Sequence, residues 1–289
     1  MKIWYMAIRP KTLPAAISPV LMATAMAFGD GIQHFPTAFL CLFAALMIQI
    51  GTNLANDYFD FKKGVDTKER LGPMRMTQSG LIKPHIMKWA FILAFGLAIL
   101  ASIGLIKRGG WPIAVIGILA ILSGIFYTAG AKPLSFLGLG DLFVLIFFGP
   151  VAVSGTYYVQ SFEISLAVIL AGFAPGLLSV AILTVNNLRD IETDKKSGKK
   201  TLAVRFGKSF AQSEYLFSVI GASLLPVFLY CLIRDHLLIL SSVATCLLAI
   251  PCFKTVLTKS DGPSLNQALA KTGRLLLIFS ILFSIGWIV

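Results

Sequence analysis

The chain alternates long apolar stretches with short charged ones. A helix that crosses a bilayer needs roughly 20 mostly apolar residues. Nine stretches fit, at 12–29, 37–56, 86–106, 111–129, 138–159, 164–187, 212–233, 236–257 and 273–289. Prolines and glycines inside them are tolerated in membrane helices. The pattern predicts an all-α integral membrane protein of nine transmembrane helices, a single polytopic domain over residues 1–289. The first stretch has a basic start and ends near Ala25-Met26-Ala27, like a signal peptide. Pro14 and Pro19 interrupt its run and the rest of the chain is membrane-embedded anyway, so it is read as a retained span.

Composition agrees with that class. Apolar residues are 57% of the 289 and charged residues 13%, against about 25% charged in soluble domains. Twenty-two phenylalanines exclude a disordered chain. Cys41, Cys231, Cys246 and Cys252 sit in apolar runs without metal-ligand spacing, so they read as buried small residues.

The net charge of +12 would suggest nucleic acid in a soluble protein. Its distribution says otherwise. Twenty-two of the 25 Lys and Arg fall in the N-terminus and the even-numbered loops, and three (Lys107, Arg108, Arg234) on the other side. That asymmetry follows the positive-inside rule, with the N-terminus cytoplasmic and the C-terminus outside. The basic loops face a lipid bilayer, and no nucleic-acid partner is expected.

The acids are concentrated as well. Four of 13 follow the second span (Asp57, Asp60, Asp66, Glu69) and three follow the sixth (Asp190, Glu192, Asp194). If the second span stays helical past its apolar part, Asn53, Asn56, Asp57 and Asp60 share one face. Asn186, Asp190 and Asp194 share another. The clusters are four spans apart, which suggests a weak internal repeat with both sites facing one cavity. Crowded carboxylates repel unless a cation neutralises them. Hard Asp and Asn oxygens suit Mg²⁺, which is held by a few carboxylates together with substrate phosphates. Lys and Arg around both clusters suit phosphate oxygens. Acids holding Mg²⁺ with bases around them describe a diphosphate site, and at a membrane surface that diphosphate carries a lipid. A cation-coupled transporter is an alternative, but transporter acids usually sit near the midplane, and these sit at helix ends among bases.

At these residues the chain resembles the UbiA superfamily of intramembrane prenyltransferases. That family is marked by N-D-x-x-D-x-x-x-D and D-x-x-x-D after helices 2 and 6. This chain has Asn56-Asp57-x-x-Asp60 and Asp190-x-x-x-Asp194. Gly64 stands where the third acid of the first motif belongs and Asp66 follows, as in the menaquinone branch. The family's Tyr-x-x-x-Lys pattern is one residue longer here, Tyr127 to Lys132. The stretches at 9–20, 70–80, 138–160 and 186–207 also look like the branch that prenylates 1,4-dihydroxy-2-naphthoate.

The resemblance implies helices around a central cavity open to the cytoplasm, in a bacterial cytoplasmic (inner) membrane. It implies Mg²⁺-dependent transfer from a polyprenyl diphosphate to dihydroxynaphthoate, with loss of CO₂. Metal would be held by Asn56, Asp57, Asp60, Asp66, Asp190 and Asp194, with Asp57 as ligand or orienting partner. Diphosphate would be met by Arg189, Lys132, Lys63, Arg9, Arg70, Arg75 and Asn187. Another acceptor such as 4-hydroxybenzoate is the nearest alternative. Neither prenyl length nor oligomeric state is legible. Plainer roles are expected elsewhere. Tyr157, Tyr158, Trp4, Tyr5 and Trp111 read as interfacial aromatics. The Lys195-Lys196 and Lys199-Lys200 pairs read as a lipid-facing basic surface. Gly51 and Gly155 read as helix-packing positions, and His34, His85 and His236 as non-catalytic.

Overall fold

The computed structural model describes residues 2–64, 71–130 and 132–289. Among the described residues every regular element is helical. The chain enters through α1 (Lys2–Ile8) and a 3₁₀ turn, then α2 (Pro14–Gly29), α3 (Phe35–Lys62), α4 (Pro84–Gly109) and α5 (Trp111–Phe126). The short α6 (Leu134–Leu137) leads to α7 (Gly140–Phe147) and α8 (Pro150–Ser161). Next come α9 (Leu166–Arg189), α10 (Ile191–Lys196) and α11 (Leu202–Ile233). A 3₁₀ stretch, Leu237–Ala244, precedes α12 (Thr245–Leu248), α13 (Ile250–Thr258) and the closing α14 (Gly262–Ile288).

Among the described residues seven segments are long and apolar enough to cross a membrane, and an eighth is the pair Lys2–Thr12 and Pro14–Gly29, bent by 55°. The fourth expected span, α5, is a shorter apolar helix of 16 residues. These segments overlie all nine apolar stretches, but by length and composition the number that qualifies is seven, or eight with the bent pair. Four stretches depart from a plain span. The one at 138–159 breaks between α7 and α8, where Gly149 lies against Gly172 and Gly176 of α9. The one at 236–257 starts as 3₁₀ helix, because Gly286 of α14 meets the Leu238 backbone there. The helix carrying 212–233 begins at Leu202 and is kinked at Gly207, whose φ of 85° breaks the helical run. The last helix begins at Gly262, capped by Asp261, whose side chain accepts from the Ser264 amide.

The two most extensive helix pairs are α3 with α4 and α9 with α11; α3 carries the first acid cluster, and α9 leads into the second, whose Asp190 and Asp194 lie at the cap of α10 and within it. The larger core cluster gathers α2, α9, α11 and α14 around Tyr215, Phe279, Leu178 and Leu276. Small residues let these backbones close up, among them Ala181, Ala211, Ala222 and Ala268. A cavity lies on the other side of α2, walled by α2, α3, α4, α5, α7 and α8, with about 1160 Å³ of space unfilled by protein atoms, part of it open to the outside. The expected central cavity is therefore displaced toward the first five spans.

The two ends of the bundle differ as the charge count requires. At one end, polar contacts join the segments after α3, α5, α9 and α13. Lys63 Nζ donates to the Thr128 and Gly130 carbonyls at 2.6 and 2.9 Å. Arg205 Nη2 donates to the Leu137 carbonyl at 2.7 Å, and Asn266 Nδ2 to the Leu71 carbonyl at 3.1 Å. At the other end Asp30 accepts from Tyr157 Oη at 2.6 Å and Trp287 Nε1 at 3.2 Å. Tyr157 is thus a buried core residue and not the interfacial aromatic expected, because its hydroxyl has an acid to reach. Tyr5 and Trp111 are exposed as expected. Cys41 and Cys252 are buried, whereas Cys231 is exposed on the bundle surface and Cys246 half-buried. His34 caps α3, its Nδ1 accepting from the Thr37 amide at 3.3 Å, and His236 stacks on Trp287.

Candidate active site

Helix α3 continues past its apolar part to Lys62, so the first cluster is helical as its spacing requires. Gln49 and Thr52 line the cavity, and Asn53, Asn56 and Asp60 carry the same face onward as polar side chains. Asn53 Nδ2 donates to the Ile8 carbonyl at 2.9 Å and to Thr12 Oγ1 at 3.0 Å. This holds the turn that contains Arg9, whose φ is 57°. Asn56 Oδ1 accepts from Thr128 Oγ1 at 2.9 Å.

The two aspartates here have different roles. Both Asp57 oxygens are taken by the loop beyond, accepting from the Met76 and Thr77 amides at 2.9 and 3.0 Å. Asp57 thereby anchors the loop after α3. Asp60, 1% exposed, pairs with the buried Arg75 at 2.6 Å. Asp66 and Arg70 lie outside the described residues.

The second cluster centres on Arg189, itself 3% exposed. Its guanidinium donates to both Asp190 oxygens at 2.8 and 2.5 Å, to Asn186 Oδ1 at 2.6 Å and to Asn266 Oδ1 at 2.6 Å. A planar fork of donors suits such convergence. Asp194 is buried and lies 3.5 Å from Lys199 Nζ. Lys199 is therefore drawn into the cluster rather than left on a lipid-facing surface, because Asp194 and the Phe136 ring hold it. Asn187 is buried one position before Leu188 of the core. Lys132 is exposed, and no contact among the described residues brings it to either cluster.

Two residues show that the clusters meet. The Phe136 ring carries Lys63 Nζ 5.3 Å from its centroid and Lys199 Nζ 6.0 Å from it. Tyr127 lines the cavity and lies in the field of Asp141, Asp194 and Asp60. Burial pushes the Lys63 ammonium below its ordinary value; Asp60 opposes the shift and Lys199 adds to it. The sequence did not single out Asn266, which ties Arg189 to the loop after α3 from 77 residues away. Its signal is weak: one amide near the start of the last helix.

Fold and site together define a polytopic membrane protein with an apolar cavity ending in paired acids and bases. The chain belongs to the UbiA prenyltransferase family, whose model matches residues 16–282. It is 38% identical to a 1,4-dihydroxy-2-naphthoate octaprenyltransferase of Haemophilus influenzae, over 100% of this chain and 96% of that one. It is 37% identical to the Escherichia coli protein of the same name, over 98% and 94%. Its fold matches a UbiA homolog from Archaeoglobus fulgidus bound to DMAPP and Mg²⁺, with a TM-score of 0.66 at 18% identity, over 99% and 98%. A UbiA homolog from Aeropyrum pernix K1 matches with a TM-score of 0.69 at 16% identity, over 94% and 96%. The protein is a multi-pass membrane prenyltransferase.

Proposed function

We propose that the protein transfers a polyprenyl group from a polyprenyl diphosphate to 1,4-dihydroxy-2-naphthoate. Diphosphate and CO₂ leave, and a demethylmenaquinol forms. The observation that carries this reading is the meeting of two acid-and-base clusters across Phe136 at the polar end of one apolar cavity. The ring acceptor rests on the names of the relatives, which the chain matches along nearly its whole length.

The donor chemistry fits Mg²⁺. Asp60, Asp190 and Asp194 are buried, and each already sits against a side-chain cation. Among the described residues no three His, Cys, Asp or Glu side chains converge as a ready metal site, and Mg²⁺ would draw its ligands from both clusters. Asn56, Asp60, Asp66, Asp190 and Asp194 would hold it, and when bound it supplies positive charge to the leaving diphosphate. Arg75, Arg189, Lys63 and Lys199 then meet the phosphate oxygens, with Arg9 and Asn187 at the edges of the site. The allylic C–O bond breaks and its electron pair leaves with the diphosphate. Phe143, Phe147 and Val151 line a space for the tail and exclude the water that would quench an allylic cation. The ring carbon bearing the carboxylate attacks, and CO₂ departs from it.

The basic end, with the N-terminus, faces the cytoplasm and the C-terminus faces outside, in a bacterial inner membrane. The test is a transfer assay on detergent-purified protein with a labelled prenyl diphosphate. The expected result is lipid product with 1,4-dihydroxy-2-naphthoate, none with 4-hydroxybenzoate, and loss of product on adding EDTA. Product with the benzoate alone would overturn the acceptor, and full activity in EDTA would overturn the metal.

A further inference from the structure

One buried acid near the cavity belongs to neither cluster. Asp141 opens α7, is 7% exposed, and its Oδ1 has no hydrogen-bond partner among the described residues. Val144 and Phe148, three and seven positions on, both line the cavity, so helical spacing puts Asp141 on that side, one turn nearer the clusters. Tyr127 adjoins it: a Cβ placed on Gly140 would lie 3.2 Å from the Tyr127 hydroxyl. That hydroxyl has no hydrogen-bond partner among the described residues either, and it feels Asp141, Asp194 and Asp60 together. Behind Asp141, Glu214 of α11 accepts from Thr184 Oγ1 at 3.2 Å. An unpaired buried acid costs stability, and ionisable groups at membrane depth are functional candidates. The steps above leave this one unused.

The ring must sit between the allylic carbon and the cavity wall, beside the diphosphate. We infer that Asp141 is the acceptor-ring residue, whose carboxylate accepts the proton of the ring hydroxyl adjacent to the attacking carbon, with Tyr127 against the same ring. This rests on the reading of the protein as a prenyltransferase acting on a hydroxylated aromatic acid. As the new carbon–carbon bond forms, the hydroxyl proton passes to Asp141 and the ring oxygen becomes a ketone. The ring–carboxylate bond then breaks. Its electron pair restores the ring and leaves an oxyanion, which takes the proton back from Asp141 as CO₂ departs. No other reactant is needed.

The test compares wild type with Asp141→Asn and Asp141→Glu as full-length protein in detergent, with geranylgeranyl diphosphate and 1,4-dihydroxy-2-naphthoate. Asp141→Asn keeps shape but cannot hold the proton. Transfer is expected to fall roughly 10²–10⁴-fold, with binding of a non-hydrolysable geranylgeranyl diphosphate analogue within about twofold of wild type and an unchanged melting temperature. Asp141→Glu restores part of the rate. An Asp141→Asn rate within about threefold of wild type would overturn the inference, as would an equal loss of diphosphate-analogue binding. If wild type works only on 4-hydroxybenzoate, the acceptor reading fails separately, and the same variants are compared on that ring's hydroxyl with the same expectation.

Discussion

Asp57 and Asp60 stand three residues apart in one motif, yet the fold gives them different loads. Asp57 anchors a loop through two backbone amides. Asp57→Ala should leave both amides unpaired, at about 1–3 kcal/mol each. A lower unfolding temperature in detergent and faster proteolysis within residues 71–83 would check it. Asp60 pairs with the buried Arg75, so Asp60→Ala breaks a buried ion pair and should cost about 3–5 kcal/mol. Asp60→Asn is the gentler probe: transfer should be lost while most of the stability remains, read by activity and melting on the same sample. Asn266→Ala removes one partner of Arg189 and the tie to Leu71, and should lower stability by roughly 1–3 kcal/mol. No change in melting would mean that this bridge is idle. The spacing of the acids was legible because it is local. Asn266 was not, because only folding brings α14 over Arg189.

At the scale of elements, backbone contact decides where helices may cross. The break between α7 and α8 rests on glycine. A Cβ at Gly172 would lie 2.7 Å from Pro150 Cα, and one at Gly149 would lie 2.8 Å from the Gly172 carbonyl. Gly172→Ala must push α8 from α9 and should destabilise by about 1–3 kcal/mol, measured by thermal unfolding. Gly96→Ala has nothing within 4 Å of its new Cβ and serves as the control. Hydropathy placed the spans well because burial in lipid is set by local composition. It missed the broken fifth segment and the 3₁₀ start of the eighth, because each answers to a glycine contact with another helix.

For the whole molecule, the core packed around α9, α11 and α14 and the cavity walled by α2–α5, α7 and α8 imply separate functions, scaffold and tail binding. Gly117 lines the cavity, and a Cβ there meets only Ser102 Oγ at 3.8 Å. Gly117→Phe should therefore fit and shorten the cavity. KM for an octaprenyl diphosphate should rise on the order of tenfold, about 1.4 kcal/mol, with KM for geranyl diphosphate little changed. Equal effects on both donors would place the tail elsewhere.

The sequence alone determined the class, the apolar stretches, the uneven distribution of charge along the chain and the residue types of the two clusters. All of these follow from short-range pattern: hydropathy over about 20 residues and helical spacing over four. Only the tertiary structure decided which partner each charge takes. It turned Asp57 to a loop, Lys199 to Asp194 and Tyr157 to Asp30, and among the described residues it left the buried Asp141 Oδ1 without a hydrogen-bond partner. A polar side chain held away from water bonds to whatever folding brings within about 3 Å; for Arg189 that includes its neighbours Asn186 and Asp190, and for Asp57, Asp60 and Tyr157 it is a loop or another helix.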